Sequence, residues 1–241
     1  MIRLDALQGF SVARHAHSVG NALRSDAEAR GLMEVETDLR DRDYPLTAQG
    51  RAEAQALATR IAALPQPQRP TAIVCSPYAR ALETADYILR RGLPGQRVRF
   101  NLDERLRPKN FGITERLTTH GIAHRLPSLL ELRRTIPSFH FCPPQGESRC
   151  DVVRRTRDFL KSLVRTHAGE RVLLIAHKPI VNSLDYLLTP LGELAFSAEH
   201  AGSARNAELT MYATRLPSRV FAAHPNARDL VPEHFEYATA A

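Results

Sequence analysis

The sequence of 241 residues is poor in lysine and cysteine, and it contains no long apolar run. Lysine occurs three times against thirty arginines, and a bias spread along the whole chain is typical of codon composition rather than of one anionic partner. The three cysteines (Cys75, Cys142 and Cys150) lack C-x-x-C spacing, so they indicate neither a disulfide framework nor a zinc knuckle. The longest apolar run, Val172–Ala176, is far too short to span a bilayer.

The composition is otherwise that of a globular protein, with 43% hydrophobic and 24% charged residues. The net charge of +7 is compatible with nucleic acid, a membrane surface or a small anionic substrate. Because no block of like charges and no arginine stripe interleaved with aromatics occurs, we expect no nucleic-acid partner. The first ten residues lack the apolar core of a signal peptide, so we expect a cytoplasmic protein that binds no membrane.

Short apolar runs alternate with longer amphipathic ones. The predicted strands are Phe10–Ala13, Thr71–Cys75 and Arg171–Ala176, with late strands at Ala207–Thr214 and Val220–Ala223. The predicted helices run from the N-cap Thr47 to Leu64, from about Arg80 to Arg90, and from Glu147 to Thr166. This alternation predicts one α/β domain over residues 1–241, a three-layer, doubly wound fold with a mainly parallel sheet and helices on both faces. Residues from about 105 to 145 are the least patterned, and we expect them to form a helical and loop insertion that acts as a lid.

Basic side chains follow each of the first three predicted strands. These residues are Arg14 and His15 with Asn21, then Arg80, then His177 and Lys178. Ligands bind beyond the carboxyl ends of the strands in an open α/β sheet, so these side chains should meet. No carboxylate lies in these three loops. The sequence therefore predicts an electropositive pocket for an anion, with phosphate favoured because guanidinium groups match its oxygens in pairs.

Five motifs in chain order resemble those of the histidine phosphatase superfamily, the phosphoglycerate-mutase-like proteins. They are Arg14-His15 with Asn21, Pro45-Leu46-Thr47 with Gly50, Ser76-Pro77 with Arg80-Ala81 and Thr84, Pro144 with Gly146-Glu147-Ser148, and Ala176-His177. Each motif is weakly specific alone, and their ordered occurrence over residues 10–182 carries the resemblance.

The resemblance implies that His15 attacks phosphorus and forms a phosphohistidine. Arg14, Arg80 and His177 would surround the equatorial oxygens of the phosphoryl group, and Asn21 would donate a hydrogen bond to it. Water then hydrolyses the phosphohistidine in a phosphatase, whereas a mutase returns the phosphoryl group to its substrate. No metal and no cofactor would be needed, because the arginines and histidines neutralise the charge.

Two positions that are glycine in the family carry other residues here. Ala16 follows the nucleophilic histidine, so the loop must accommodate a methyl group. Lys178 follows His177. Its side chain either extends the anion site toward a second phosphate or points to solvent, and the sequence favours neither.

The proton donor to the leaving group also departs from the family pattern. Related phosphatases carry a glutamate where Pro108 stands in this chain. Mutase-like members show a leucine-x-glutamate-arginine pattern, which residues 102–105 fit. Glu104 is therefore the candidate acid, with Asp103 and Glu147 as alternatives.

We expect a metal-independent phosphatase acting on a small phosphorylated substrate. The P-x-G-E-S motif before an arginine-rich helix favours this branch over phosphoglycerate-mutase-type transfer. The proline at position 108 keeps open a third hypothesis, a catalytically weak phosphate-binding protein on the same fold. A metal site is not expected, since His120 and His124 flank Gly121 without a conspicuous carboxylate ligand nearby.

Overall fold

A computed structural model describes residues 3–196 and 204–214. The strands within these residues are β1 (Gly9–Arg14), β2 (Ala72–Cys75), β3 (Arg99–Leu102), β4 (Arg171–Ala176) and β5 (Leu209–Tyr212). They form one sheet in the order β3-β2-β4-β1-β5, in which only β5 runs antiparallel to its neighbour. The predicted α/β fold with a mainly parallel sheet is confirmed. The predicted strand Val220–Ala223 lies outside the described residues.

The helices are α1 (Val19–Ala29), α2 (Ala48–Ala63), α3 (Ala79–Tyr87), α4 (Thr119–Arg125), α5 (Pro127–Thr135), α6 (Arg149–Thr166) and α7 (Lys178–Leu188). Helix α3 ends in a π-helical turn, Ile88–Gly92, and short 3-10 turns include Asp41–Asp43, Glu104–Leu106 and Gly112–Thr114. The pattern did not predict α1. None of the described helices combines the length and the apolar character needed to cross a membrane.

Side-chain caps define where the helices begin. The Thr47 hydroxyl accepts the Gly50 N–H at 3.0 Å at the start of α2, as predicted. Ser148 forms a capping box with Asp151 at the start of α6. Pro179 occupies the first turn of α7, where its missing N–H costs no hydrogen bond.

Alternate strand residues pack against helices on opposite faces of the sheet. On β4, Val172 belongs to a core cluster that includes Phe159 of α6, whereas Leu173 belongs to a second cluster with Leu57 of α2 and Ala85 of α3. These side chains are buried almost completely. Burial of each large apolar side chain contributes roughly 1.5–3 kcal/mol to stability. The sheet is therefore the middle of three layers, as predicted for a doubly wound fold.

The predicted lid, residues 105–145, contains α4 and α5 and is tied to the chain after α1. The Thr118 N–H donates to the carbonyl of Met33 at 3.1 Å, and Arg24 of α1 donates to the carbonyl of Leu117 at 3.1 Å. A Cβ atom at Gly121 would lie 1.7 Å from the Met33 carbonyl oxygen, so only glycine permits this contact. These contacts fix the insertion against α1 and the chain that follows it.

Candidate active site

A cavity of about 940 Å³ lies at the carboxyl ends of the central strands. The strand-end residues Arg14, His15, Arg80, His177 and Lys178 all line it. Residues from α1, from the loop before α2, from the predicted lid and from α6 and α7 also line it. The structure thus brings the predicted basic side chains together, because parallel strands end at the same edge of the sheet.

Hydrogen bonds fix the ring of His15, which is only 4% exposed. Its Nδ1 lies 2.8 Å from the carbonyl oxygen of Ala16. A carbonyl oxygen only accepts, so Nδ1 carries the proton and Nε2 keeps its lone pair. The backbone is held as well, since the His15 N–H donates to Ala176 at 2.9 Å and the Asn206 amide donates to the His15 carbonyl at 2.9 Å.

The surroundings of His15 keep its ring neutral. Burial holds the pKa of His15 well below its usual value, and the cations Arg80 and Arg14 lower it further. The hydrogen bond to the Ala16 carbonyl opposes these effects in part. A neutral imidazole with a free Nε2 is the form that attacks phosphorus.

His177 lies beside His15, with 4.9 Å between the ring centroids. Its Nε2 is 2.8 Å from the Ser76 hydroxyl, and the two side chains are buried. Among the described residues, Nδ1 of His177 is buried without a hydrogen-bond partner. Burial, followed by His15 and Arg80, holds the pKa of His177 well below its usual value. If Ser76 donates to Nε2, then Nδ1 bears the ring proton and is available to a ligand.

Arg14 and Arg80 place two guanidinium groups at the cavity. Arg80 is buried and donates to the backbone and side-chain oxygens of Asp41, which lies before α2. Arg14 donates to the Ala204 carbonyl at 2.9 Å, and its Nε is buried without a partner among the described residues. Burial and Arg80 lower the pKa of Arg14, but a guanidinium stays charged at neutral pH. The pocket is therefore less purely basic than predicted, because Asp41 reaches Arg80 from another segment.

Asn21 occupies the third position of α1 and lines the cavity. Its side-chain oxygen accepts the N–H and the hydroxyl of Ser18, at 3.1 and 3.0 Å. The oxygen is thus engaged in a capping box, which leaves the amide NH₂ as the group that could donate to a ligand. Asn206, which the sequence did not single out as a site residue, lies 3.4 Å from the same oxygen.

The motif Pro45-Leu46-Thr47 with Gly50 supports the nucleophile loop, which is the segment 15–18 between β1 and α1. The carbonyl of His17 accepts the Thr47 N–H at 3.1 Å, and the His17 N–H donates to Glu53 at 2.8 Å. A Cβ atom at Gly50 would lie 1.8 Å from the His17 carbonyl oxygen. Helix α2 therefore approaches the loop this closely only with glycine at position 50.

The structure does not place the predicted acids at the cavity. Glu104 is exposed at the start of a 3-10 turn and does not line the cavity. Asp103 caps the same turn and pairs with Arg105 at 2.7 Å. Glu147 would have a raised pKa from burial alone, but hydrogen bonds from Arg155 and from the Asn110 N–H hold its pKa below the usual value. Glu147 is thus an ionised structural group.

A carboxyl group that sequence analysis missed, Glu115, does line the cavity. Burial raises its pKa, although the Phe111 N–H, 3.1 Å away, acts in the opposite sense. Pro108, which stands at the family's glutamate position, lines the same cavity. The only sequence signal for Glu115 was its position, a few residues after the stretch that contains Pro108.

Lys178 and Asn182 line the cavity from α7. Burial, and then Arg14, lowers the pKa of Lys178. The side-chain oxygen of Asn182 is buried without a partner among the described residues. Asn182 lies one turn after Lys178, which is the only sequence signal for it. Within residues 3–196 and 204–214 no cluster of three or more histidine, cysteine or acidic side chains could hold a metal ion.

Comparisons with known proteins point to one family. Residues 31–215 match the family model of the histidine phosphatase superfamily (branch 1). Probable phosphoglycerate mutase GpmB from Yersinia enterocolitica is 31% identical over 206 residues, 85% of this chain and 83% of the relative.

Solved structures show the same similarity. Bacillus stearothermophilus YhfR is 26% identical with a TM-score of 0.63, covering 84% of this chain and 89% of that one. Mycobacterial glucosyl-3-phosphoglycerate phosphatase in complex with VO3 is 25% identical with a TM-score of 0.60, covering 84% and 90% of the two chains. The resemblance noted in the sequence is confirmed, and the chain belongs to the histidine phosphatase superfamily.

Proposed function

We propose that the protein is a phosphatase that hydrolyses a small phosphomonoester through a phosphohistidine at His15. The observation that carries the proposal is the state of the His15 ring, which is neutral, with Nδ1 bonded to the Ala16 carbonyl and Nε2 free. Arg14, Arg80 and His177 line the cavity around it and supply hydrogen-bond donors to a phosphoryl group.

In the first step, His15 Nε2 forms a bond to phosphorus while the ester P–O bond breaks. Negative charge spreads over the equatorial oxygens in the transition state, where Arg14 and Arg80 stabilise it. His177 donates from Nδ1, and Asn21 from its amide NH₂. Arg14 and Arg80 supply the positive charge, and His177 and Asn21 supply further hydrogen bonds, so the proposed reaction needs no metal.

The leaving oxygen must receive a proton, and we assign this proton to Glu115 rather than to Glu104. Glu115 lines the cavity and holds its proton at higher pH than an ordinary glutamate, whereas Glu104 is exposed outside the lining. In the second step, Glu115 takes a proton from water as the water oxygen attacks the phosphohistidine. The N–P bond then breaks, which releases inorganic phosphate and restores neutral His15.

A mutase is the second candidate function. The relative from Yersinia, which is similar along most of its length, bears the name of a probable phosphoglycerate mutase. In a mutase the phosphoryl group on His15 would return to an organic acceptor instead of passing to water. The acid–base role of Glu115 would be the same in the two reactions.

The first experiment is phosphate release from an aryl phosphate and from a panel of sugar and glycerate phosphates. We expect wild-type turnover that a chelator leaves unchanged, loss of turnover in His15→Ala, and no loss in His120→Ala, which changes an exposed histidine. Transfer of labelled phosphoryl to an organic acceptor in preference to water would favour the mutase. No turnover and no trapped phosphohistidine would leave a phosphate-binding protein.

The proton donor is tested by comparing Glu115→Gln with Glu104→Gln on two classes of ester. Loss of a general acid removes about 10²–10⁴ in rate when the leaving group is a poor one, and much less for an aryl ester. We expect this selective loss on alkyl phosphates in Glu115→Gln only. The same loss in Glu104→Gln, with Glu115→Gln unaffected, would return the role to Glu104.

A further inference from the structure

Arg24 ties helix α1 to the part of the predicted lid that carries Glu115. It lies on α1, one turn after Asn21, and it lines the cavity. Its Nη2 donates to the Glu115 carbonyl at 2.7 Å, and its Nη1 donates to the Leu117 carbonyl at 3.1 Å. Each terminal nitrogen of the guanidinium thus holds a different carbonyl of one short segment, so the contact fixes that segment against the helix at two points.

Helix α1 is itself fixed to the nucleophile. Its N-cap, Ser18, is the last residue of the nucleophile loop, and the capping box with Asn21 sets where the helix begins. The Asn206 amide donates to the His15 carbonyl at 2.9 Å and lies 3.4 Å from the Asn21 oxygen, so it joins the loop to the first turn of the helix. Because α-helical geometry repeats regularly from turn to turn, the position of Arg24 follows that of His15.

The neighbouring contacts of this segment lead to a different part of the chain. The Arg116 carbonyl accepts the Val35 N–H at 2.8 Å, and the Arg116 guanidinium donates to the Val35 carbonyl at 3.0 Å. Val35 lies beyond the end of α1. These contacts hold the lid to the chain after α1, whereas Arg24 connects Glu115 directly to the helix that follows the nucleophile.

The groups that act on the Glu115 carboxyl come from several elements. Burial raises its pKa, and Asp41, from the turn before α2, raises it further. The Phe111 N–H, Arg24 of α1 and Arg80 of α3 lower it. Arg80 is bonded to Asp41 and is proposed to hold the phosphoryl group. Arg24 is therefore the cation that serves Glu115.

We infer that Arg24 is a positioning residue that holds Glu115 against α1, so that the proton donor and the nucleophile keep a fixed separation. The inference rests on the proposed function, in which Glu115 protonates the leaving oxygen. A proton donor must come within about 2.6–3.2 Å of the oxygen that it protonates, and a displacement of about 1 Å can cost about 100-fold in rate. Proton delivery should therefore depend on Arg24, although Arg24 transfers no proton itself.

The first test measures kcat/KM in Arg24→Gln for an alkyl ester, glycerol 2-phosphate, and for an aryl ester, 4-nitrophenyl phosphate. We expect a loss of about 10- to 100-fold on the alkyl ester and of about threefold or less on the aryl ester, whose leaving group needs little protonation. The control is Arg125→Gln. Arg125 pairs with Glu34 at 2.9 Å, also ties the lid to the chain after α1, and does not line the cavity. We expect this control to leave the two rates unchanged.

A double variant shows whether Arg24 acts through Glu115. In the Glu115→Gln background, Arg24→Gln should cause no further selective loss on the alkyl ester, because there is no proton donor left to position. A higher KM for the two esters alike in Arg24→Gln would mean that Arg24 contacts the substrate, and would overturn the inference. An equal loss of kcat on the two esters, or a further selective loss in the double variant, would also overturn it.

A titration of the Glu115 carboxyl carbon by NMR reads the contact without turnover, with the resonance assigned by its loss in Glu115→Gln. Because Arg24 lowers the pKa of Glu115, we expect a higher pKa in Arg24→Gln and no change in Arg125→Gln. Tyr78 also faces this carboxyl, but its pKa is raised, chiefly by burial, so it stays neutral while Glu115 titrates. An unchanged Glu115 pKa in Arg24→Gln would refute the contact.

The proposed function and this inference fail in different ways. If the wild type hydrolyses neither ester, the phosphatase proposal fails, and if Glu115→Gln spares the alkyl ester, the proposed proton donor fails. In these two cases the titration alone decides whether Arg24 holds Glu115. If Glu115→Gln loses the alkyl ester selectively but Arg24→Gln does not, the proposed function stands and the role of Arg24 is refuted.

Discussion

The buried hydrogen bond between Ser76 and His177 makes the sharpest prediction. The Ser76 hydroxyl and His177 Nε2 are 2.8 Å apart, and this hydroxyl makes no other hydrogen bond among the described residues. Ser76 therefore donates, which fixes the proton on Nδ1 of His177. Ser76→Ala removes this constraint without replacing any side chain that is proposed to contact the phosphoryl group.

The magnitude follows from burial. The hydrogen bond from Ser76, whose net free-energy contribution is about 0.5–1.5 kcal/mol, sets the tautomer of His177. Its loss should lower the rate of phosphoryl transfer to His15 by about 2- to 13-fold, since 1.4 kcal/mol corresponds to a factor of ten. Because Ser76 is fully buried, Nε2 is left without a partner, and the free energy of unfolding should fall by about 1–3 kcal/mol.

The assay pairs urea unfolding with single-turnover phosphoryl transfer from an aryl phosphate. Ser183→Ala is the control, because Ser183 is equally buried and its hydroxyl donates to the Pro179 carbonyl at 2.7 Å within α7. We expect a loss of stability in the two variants but a loss of rate in Ser76→Ala alone. An unchanged rate in Ser76→Ala, or an equal loss in Ser183→Ala, would refute the tautomer argument.

Two further predictions concern packing and pH. Gly50→Ala should destabilise the protein by about 1–3 kcal/mol, because its Cβ would overlap the His17 carbonyl. Gly9→Ala should cost much less, because its Cβ would come no closer than 3.3 Å to another atom, the Cγ of Arg171. Equal melting temperatures for the two variants would contradict this. His15 and His177 have folded-state pKa values below about 6.5, so the unfolded state binds more protons in acid and stability should fall as pH drops below that value. The melting temperature of wild type minus that of His177→Gln should decrease as the pH falls from 7.5 to 5.5. An increase in this difference would show that the His177 ring is not buried in its neutral form.

The strongly patterned elements of the fold could be predicted from the sequence. Strand β4 has the predicted bounds, Arg171–Ala176, because a short apolar run buried on the two faces of a sheet has few alternatives. Helix α1 was not predicted because its apolar positions are few and mostly small: Val19, Leu23 and Ala27 lie at helical spacing, but only Ala27 is buried. Its readable signal was the capping box that Ser18 forms with Asn21.

The residues of the candidate site likewise divide into those that could be predicted from the sequence and those that could not. His15, Arg80 and His177 could be predicted because each follows a buried strand, and the order of the strands brings their ends together. Glu104 follows β3, which is an exposed strand at the edge of the sheet, and it does not line the cavity. Glu115 lies in the lid, whose position depends on contacts with α1 and with Met33 that are distant in sequence. No local pattern encodes such contacts.

The attachment of Asn206 to the nucleophile loop has a consequence for how the protein is synthesised. The Asn206 amide donates to the His15 carbonyl across 191 positions of the chain, and the Ala207 N–H donates to the Arg14 carbonyl at 3.1 Å. A ribosome makes His15 early, yet the loop that orients it lacks these restraints until residues 206 and 207 have left the exit tunnel. Nascent chains should therefore acquire the four parallel strands and their helices before they acquire a competent nucleophile, so the timing of activity is set by the late part of translation.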